Sequence, residues 1–189
     1  WEAMDGSFQT ATWLDWVTKI PDKLIHHRPV LSTQYAWALN DCGYPKDVEA
    51  HLQDAEKWLD INRDESVASG MVIVDEAQFK SLPAMIALAR SNNAQYLGDS
   101  SRAIKYAKLA LELIPEKDLM RRAQATAMLG TTNWEYGNLD AARKAMKNWF
   151  EIGSYKSAIQ TSEKLMKPPN IDFRNIGEFI RLKLDYPDE

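Results

Sequence analysis

Cysteine is nearly absent from this sequence: Cys42 is the only one in 189 residues. A single thiol excludes an internal disulfide framework and a zinc site built from several cysteines, and it fits a reducing compartment. Histidine is scarce as well. His26 and His27, as neighbours on a helix, would point about 100° apart, which is a poor arrangement for sharing a metal. We therefore expect no metal ion and no other cofactor.

Long apolar runs and clusters of basic residues are also missing. No stretch approaches the roughly 20 apolar residues that a membrane-spanning helix needs, and no signal peptide is visible. The net charge is −4, and residues 96–189 carry only a small basic excess, 15 basic against 13 acidic residues. Because nucleic-acid binding relies on clustered lysine and arginine, we expect a cytoplasmic segment that contacts neither a membrane nor nucleic acid directly.

The motifs of common enzyme classes are missing too. Residues 71–76, Met-Val-Ile-Val-Asp-Glu, resemble a Walker B strand, in which apolar residues deliver acidic side chains to a magnesium ion. The phosphate-binding sequence G-x-x-x-x-G-K-S/T that must accompany such a strand does not occur in the chain. We interpret the run as a connection between repeats or as the start of the next helix. With no acid–base pair and no nucleophile elbow, the sequence predicts no catalysis.

Helical repeats are what the sequence does contain. Residues 98–115 begin with a Gly-Asp turn, place the small residues Ala103 and Ala107 one helical turn apart, and end at Pro115, which cannot continue a helix. This order of turn, small residues and proline resembles the second helix of a tetratricopeptide (TPR) hairpin. Small residues are needed there because a larger side chain would push two closely crossing helices apart.

The same pattern recurs further along the chain. Gly137 opens a second turn of this kind, 39 residues after the first, and Ala142 and Met146 follow it at the same spacing. That period lies near, but above, the 34 residues of a standard TPR. We therefore predict an all-α fold, a TPR-like helical-hairpin solenoid with a right-handed superhelix. We place this repeat domain at residues 1–166 and a C-terminal tail, with room for a capping helix, at residues 167–189.

Hydrophobic spacing and turn residues predict the individual helices. Residues 60–81 interrupt the series of predicted helices with a polar, loop-like stretch and the apolar run described above. The predicted helices are a first run that ends at Pro21, then residues 29–42, 46–59, 82–97, 100–113 and 119–136, and a returning helix after Gly137.

Aromatic residues are abundant, with seven tryptophans and seven tyrosines. Bulky side chains wedge between the layers of a helical array, so we assign Trp13, Trp58 and Trp149 to the core. Aligning the glycine turns places aromatic, amide and hydroxyl side chains on the inner helices near the concave face: Trp37, Asn40, Asn92, Gln95, Tyr96, Thr131 and Trp134. Such a mixture suits a groove for a small-molecule inducer, a peptide or a protein. The alternative is that these residues pack internally or are solvated.

One family shares the landmarks of this chain. In order, the sequence has Ile-Pro at residues 20–21, Arg-Pro at 28–29 and Tyr-Ala-Trp-Ala-Leu at 35–39, followed by the hairpin helix of residues 98–115. The combination resembles the TPR-like sensor region of MalT-like, LuxR-family (STAND-type) transcriptional regulators.

The resemblance implies a cytoplasmic regulator in which this segment senses an inducer or a partner protein. An upstream nucleotide-binding module and a downstream helix-turn-helix would flank the segment, and self-association is left open. A free-standing TPR adaptor that binds a peptide or protein partner is the alternative function.

Overall fold

The computed structural model describes residues 9–60 and 71–152, which form eight α-helices and no strand. The helices are α1 (Thr10–Val17), α2 (Asp22–His26), α3 (Pro29–Asp41), α4 (Val48–Asp60), α5 (Glu76–Tyr96), α6 (Ser100–Leu113), α7 (Leu119–Glu135) and α8 (Leu139–Ile152). The prediction of an all-α chain is confirmed over these residues. Predictions for residues 1–8, 61–70 and 153–189, including the domain boundary after residue 166, lie outside the described residues.

Three glycines end helices in the same way. Gly43, Gly98 and Gly137 follow α3, α5 and α7 with φ angles of 85°, 74° and 82°, a left-handed conformation that glycine adopts without steric cost. Each glycine N–H bonds to the carbonyl three residues earlier, and the next N–H bonds to the carbonyl five residues earlier. This arrangement is a Schellman motif. The predicted helix stops at these glycines are confirmed.

The residue after the second and third of these glycines caps the following helix at its N-terminus. The Asp99 carboxylate accepts a hydrogen bond from the Arg102 N–H at 3.0 Å, and the Asn138 side chain accepts one from the Ala141 N–H at 3.2 Å. These side chains satisfy N–H groups that the first turn of a helix leaves without partners. Two consecutive residues therefore end one helix and start the next, which makes each connection short enough to form a tight helical hairpin.

The described helices form three hairpins, each with a first helix (α3, α5 or α7) and a second helix (α4, α6 or α8) packed against it. Small residues lie where the two helices cross, as predicted. Ala103 and Ala107 of α6 are fully buried, and the Ser91 hydroxyl of α5 donates to the Ala103 carbonyl at 3.0 Å. In the third hairpin, a Cβ atom added to Gly130 would lie 2.7 Å from the Met146 methyl group, so α8 approaches α7 closely at this glycine.

The first helices also pack against one another in chain order, α3 against α5 and α5 against α7. The second helices α4 and α6 each pack against the first helix of the following hairpin. The short helices α1 and α2 pack on α3, where Val17 and Ile25 are buried. None of the described helices combines the length and hydropathy required to cross a membrane.

Helix α5 begins six residues earlier than the sequence prediction of residue 82. The Asp75 carboxylate caps it by accepting hydrogen bonds from the N–H groups of Ala77 (2.8 Å) and Gln78 (3.1 Å), and the helix accommodates Pro83 in its interior. Residues 71–75 are the connection and Glu76 is the first helical residue, so the interpretation of this run as a connection and helix start is confirmed.

The three tryptophans assigned to the core differ in burial. Trp13 is buried, as predicted, whereas Trp58 and Trp149 are only partly buried. The Trp58 indole N–H donates to the His26 carbonyl at 2.7 Å, so its ring lies at the edge where α4 meets α2. The Trp149 ring packs edge-on against Phe150, with 5.1 Å between ring centroids. Both rings therefore occupy the margins of the described helical array and not its centre.

Candidate ligand-binding groove

A groove of about 870 Å³ runs across the first helices α3, α5 and α7. Its described lining residues come from these three helices and from Asp118, the residue before α7, and none comes from α4, α6 or α8. The groove therefore lies on the layer of first helices, where the sequence analysis placed the candidate binding residues.

The glycine turns set the register of the lining. The residue six positions before each glycine lines the groove in all three helices, and so does the residue thirteen positions before it. Seven residues are about two helical turns, so both positions lie on one face of each helix. The first row is Trp37, Asn92 and Thr131, and the second row is Val30, Met85 and Gln124.

Three of the seven predicted binding residues, the whole first row, are therefore brought together in the groove. The other four are not among the described lining residues. Asn40 is fully buried and its side chain is hydrogen-bonded between α3 and α5. Gln95 lies outside the described lining and donates to the hydroxyl of the lining residue Thr131 at 3.2 Å. Tyr96 and Trp134 are 54% and 62% exposed in the last turns of their helices.

Sequence reasoning missed the second row and several residues near it, among them Gln34, Gln78 and Arg121. A signal for the second row was present in the sequence. A step of seven residues back from Asn92 or Thr131 reaches the same helix face one row further from the turn. The predicted set instead continued forward from these residues into the last helical turn, beyond the groove.

Side-chain amides line the groove on all three helices. The Gln34 Nε2 atom of α3 donates to the Gln78 Oε1 atom of α5 at 3.3 Å, which links the two helices across the groove. Asn92 and Gln124 add one amide each from α5 and α7. An amide side chain has two N–H donors and a carbonyl acceptor, so these groups are able to recognise ligands that both donate and accept.

Flexible apolar side chains make up much of the remaining lining. Met85 and Met128 are partly buried against the core. Met120, in the first turn of α7, is 77% exposed. The unbranched thioether of methionine adapts to differently shaped apolar groups. These positions favour a ligand with apolar groups and do not impose one narrow shape.

The Trp37 indole has an unusual environment. Its side chain lines the groove, the residue is only 8% exposed, and its Nε1–H group is buried without a hydrogen-bond partner. A buried donor without a partner costs about 1–3 kcal/mol.

Acidic side chains outnumber basic ones in the described lining of the groove. Its described ionisable lining residues are Asp41, Asp118 and Arg121. The Arg121 guanidinium contacts the Asp118 carboxylate at 2.7 Å, and the same carboxylate caps α7 by accepting from the Arg121 N–H at 3.2 Å. The one cation of the described lining is thus held in an ion pair with Asp118.

A second cavity, of about 960 Å³, lies between α1 and the end of α3 and is lined in part by Asp15, Asp41, Cys42 and Asp47. Burial raises the pKa of the Cys42 thiol, and the neighbouring Asp41 carboxylate raises it further. The thiol is therefore protonated near neutral pH and lacks the thiolate character of a nucleophile.

Across residues 9–60 and 71–152, no group of three or more histidine, cysteine, aspartate or glutamate side chains is placed to hold a metal ion. The absence of a cofactor stays a prediction. No protein-family model, curated protein or solved structure matches this chain.

Proposed function

We propose that this segment is a TPR-like solenoid that binds an effector or a partner in the groove of α3, α5 and α7 without catalysing a reaction. One observation carries the proposal: three consecutive first helices present equivalent positions, counted from their glycine turns, to a single groove. A repeated unit that contributes the same face each time builds an extended binding surface, which is the common use of helical repeat arrays.

The packing of the helices supports a curved array with the groove on its inner side. The first helices pack against one another, whereas the described parts of α4, α6 and α8 pack mainly on first helices. When one layer of a stack is packed more closely than the other, the stack bends toward the closer layer. The layer of first helices is then concave, as in a TPR superhelix.

The chemistry of the groove supports binding over catalysis. Amides, thioethers and an indole dominate its lining, and neither histidine nor cysteine is among the described lining residues. The guanidinium of Arg121 is engaged by Asp118. The amides, thioethers and indole orient a ligand by hydrogen bonds and apolar contact, and of the two carboxylates in the described lining, Asp118 is engaged by Arg121.

We further propose that the segment acts as the effector- or partner-sensing part of a cytoplasmic regulator similar to the MalT-like members of the LuxR family. The sequence landmarks support this assignment, and Trp37, within the Tyr-Ala-Trp-Ala-Leu landmark, lies in the groove. The full reading frame tests it. Flanking nucleotide-binding and helix-turn-helix modules are expected for a regulator, and a reading frame without them contradicts the regulator and favours an adaptor.

Binding in the groove is tested with a variant that fills it. Gln124 is exposed and lines the groove, so Gln124→Trp places a bulky ring there, whereas Gln53→Trp places the same ring on an exposed position of α4 outside it. A library of neutral small molecules and short peptides is screened against the chain by thermal shift. Compounds that stabilise the parent and Gln53→Trp, but not Gln124→Trp, are expected. If every stabilising compound acts equally on all three proteins, the proposal is wrong.

A further inference from the structure

We infer that a second surface of this chain, the turn edge, binds an arginine-bearing segment of a protein partner. The turn edge consists of residues 96–99 and 134–140, which span the turns between α5 and α6 and between α7 and α8. None of these residues is among the described lining of the groove, so the inference goes beyond the proposed function. Three features carry it: exposed apolar side chains, aromatic rings with free faces, and an excess of carboxylates.

Large apolar side chains are exposed at both turns. Five of them are between 47% and 64% exposed: Tyr96, Leu97, Trp134, Tyr136 and Leu139. Single exposed apolar residues are ordinary on a protein surface, whereas a contiguous group rimmed by polar side chains marks an interaction site. Aromatic residues in particular are enriched at the centres of protein interfaces. The turn edge therefore has the composition of a surface that a partner covers.

The two turns lie side by side. Helix α5 packs against α7, and near their C-terminal ends the Gln95 Nε2 atom donates to the Thr131 hydroxyl at 3.2 Å. Tyr96 follows Gln95 directly, and Trp134 lies about one helical turn after Thr131. Packed helices are about 8–10 Å apart. An extended chain rises about 3.3 Å per residue, so roughly three residues of a partner reach from one turn to the other.

The aromatic rings of the turn edge have free faces. Within residues 9–60 and 71–152, neither another aromatic ring nor a cation contacts the ring of Tyr96, Trp134 or Tyr136. The face of an aromatic ring carries partial negative charge and attracts a cation placed over it, and the cation is more often arginine than lysine. These rings are therefore available to a cationic side chain of a partner.

Carboxylates are in excess at the turn edge. Its residues include Asp99, Glu135 and Asp140 and no basic side chain. Neither Glu135 nor Asp140 forms an ion pair with any residue that the structure describes. The guanidinium of Arg102, the first basic residue after the earlier turn, is directed to α4, and Arg143 lies about one turn further along α8. A basic partner is therefore electrostatically complementary to this surface.

Arginine satisfies the rings and the carboxylates at the same time. Its planar guanidinium stacks on an aromatic face and still donates two parallel hydrogen bonds to a carboxylate, which the ammonium group of lysine cannot do. The apolar stem of the same side chain would rest on Leu97 or Leu139. Because apolar side chains are exposed at both turns, a segment in which apolar residues flank the arginine fits better than an isolated small cation.

The test uses the full chain and three pools of fluorescein-labelled octapeptides with amidated C-termini. In the first pool, one fixed arginine is flanked by varied apolar and small polar residues. The second pool replaces the arginine by citrulline, which keeps the shape without the charge, and the third replaces it by lysine. Fluorescence anisotropy is expected to show saturable binding of the first pool. The citrulline pool should bind about tenfold more weakly and the lysine pool about threefold more weakly.

Matched variants connect this binding to the turn edge. Trp134→Ala is expected to weaken the first pool about tenfold, as the loss of a central tryptophan should, whereas Trp16→Ala removes an equally exposed ring from α1 and should change nothing. The double variant Glu135→Gln with Asp140→Asn should weaken binding about fivefold.

Two further variants control for charge and for the groove. Glu76→Gln with Glu116→Gln removes two exposed carboxylates at the opposite ends of the helices, so it changes the net charge equally and should leave the affinity unchanged. Gln124→Trp, which fills the groove, should also leave it unchanged. Circular dichroism confirms that each variant is folded.

Several outcomes would overturn the inference without touching the proposed function. They are an absence of saturable binding by the first pool, equal binding of the arginine and citrulline pools, and equal weakening by the two double variants, which would indicate only general attraction to an acidic protein. Loss of binding in Gln124→Trp would place the peptides in the groove instead. If sedimentation velocity shows self-association that Trp134→Ala abolishes, and the first pool does not bind, a second copy of the chain covers the turn edge and the inference is wrong.

Discussion

The guanidinium of Arg90 makes two parallel hydrogen bonds to the carboxylate of Glu56, with 2.8 Å from Nη1 to Oε1 and 2.7 Å from Nη2 to Oε2. The same guanidinium donates to Glu49 at 2.9 Å, and the Arg90 side chain is only 10% exposed. Arg90 belongs to α5 and both glutamates belong to α4. This cluster therefore joins the first hairpin to the second.

Replacing Arg90 by methionine is predicted to lower the free energy of unfolding by about 1–3 kcal/mol, because charged hydrogen bonds are lost and two carboxylates remain side by side. Arg90→Lys should recover little of this loss, since an ammonium group cannot form the two parallel bonds. Urea unfolding followed by circular dichroism measures the change. Lys80→Met is the control: Lys80 is exposed and only 3.8 Å from the exposed Glu76, and such surface pairs contribute little. Equal stability of the Arg90 and Lys80 variants would contradict the prediction.

The cluster also predicts how stability depends on pH. The hydrogen bonds from Arg90 lower the pKa of Glu56 below its ordinary value of 4.5, against the opposing effect of burial. Because the pKa is lower in the folded state, the carboxylate stabilises the fold at pH values above 4.5, and this contribution is lost as the pH falls through the folded pKa. The parent should therefore be more stable than Glu56→Gln at pH 7, and the difference should shrink below pH 4.5. A difference that is constant from pH 7 to pH 3 would show that ionisation of Glu56 plays no part.

The turns between helices could be predicted from the sequence because their chemistry is local. A glycine after a helix provides the positive φ angle that ends it, and Asp99 provides the cap of the next helix within the same turn. These two requirements fix where the first helix of the hairpin ends and where its second helix begins, without knowledge of distant residues. The start of α5 was predicted wrongly at residue 82, because the apolar spacing begins there. The Asp75 carboxylate caps the helix seven residues earlier.

The extent of the groove could be predicted only in part. Helical spacing from the glycine turns identifies the inner face, so Trp37, Asn92 and Thr131 were found. Asn40 lies near that face, but α5 packs against Asn40. The Asn40 side chain donates to the Ala89 carbonyl and accepts a hydrogen bond from the Asn93 amide. Which inner residues the neighbouring helix covers depends on how the two helices cross, and that crossing is not encoded at any single position.

The close crossing of helices predicts intolerance of larger side chains at Ala103 and Ala142. Both are buried in the second helices of their hairpins, and the Ala103 carbonyl accepts a hydrogen bond from Ser91 of the facing helix. Replacing either alanine by leucine should separate the helices and cost about 1–3 kcal/mol. Thermal melts measure the loss, and Ala77→Leu, at an exposed position of α5, is the matched control. If the melting temperatures of the Ala103 and Ala142 variants equal that of the control, the predicted crossing is wrong.

The last prediction concerns acidic C-terminal peptides, which some TPR domains bind through lysine, arginine and asparagine on their inner helices. In this chain Asn92 lines the groove, but one turn earlier lies Leu88, which is fully buried, and the third hairpin offers Ala127 and Thr131. A carboxylate bound there would lose its water without gaining a cation. We therefore expect no saturable binding of an acidic peptide with a free C-terminus.

Fluorescence titrations at low and physiological salt measure the binding of such an acidic peptide to the parent and to two variants. The double variant Ala127→Lys with Thr131→Arg places two cations on the inner face of α7, beside Asn92, and should gain weak, salt-sensitive binding because the missing partners are now present. Trp134→Ala removes an exposed ring from the last turn of α7 and should leave the parent's lack of binding unchanged. Tight, salt-sensitive binding by the parent that survives Trp134→Ala would show that a cationic clamp exists elsewhere in the chain, and the groove described here would not be its peptide site.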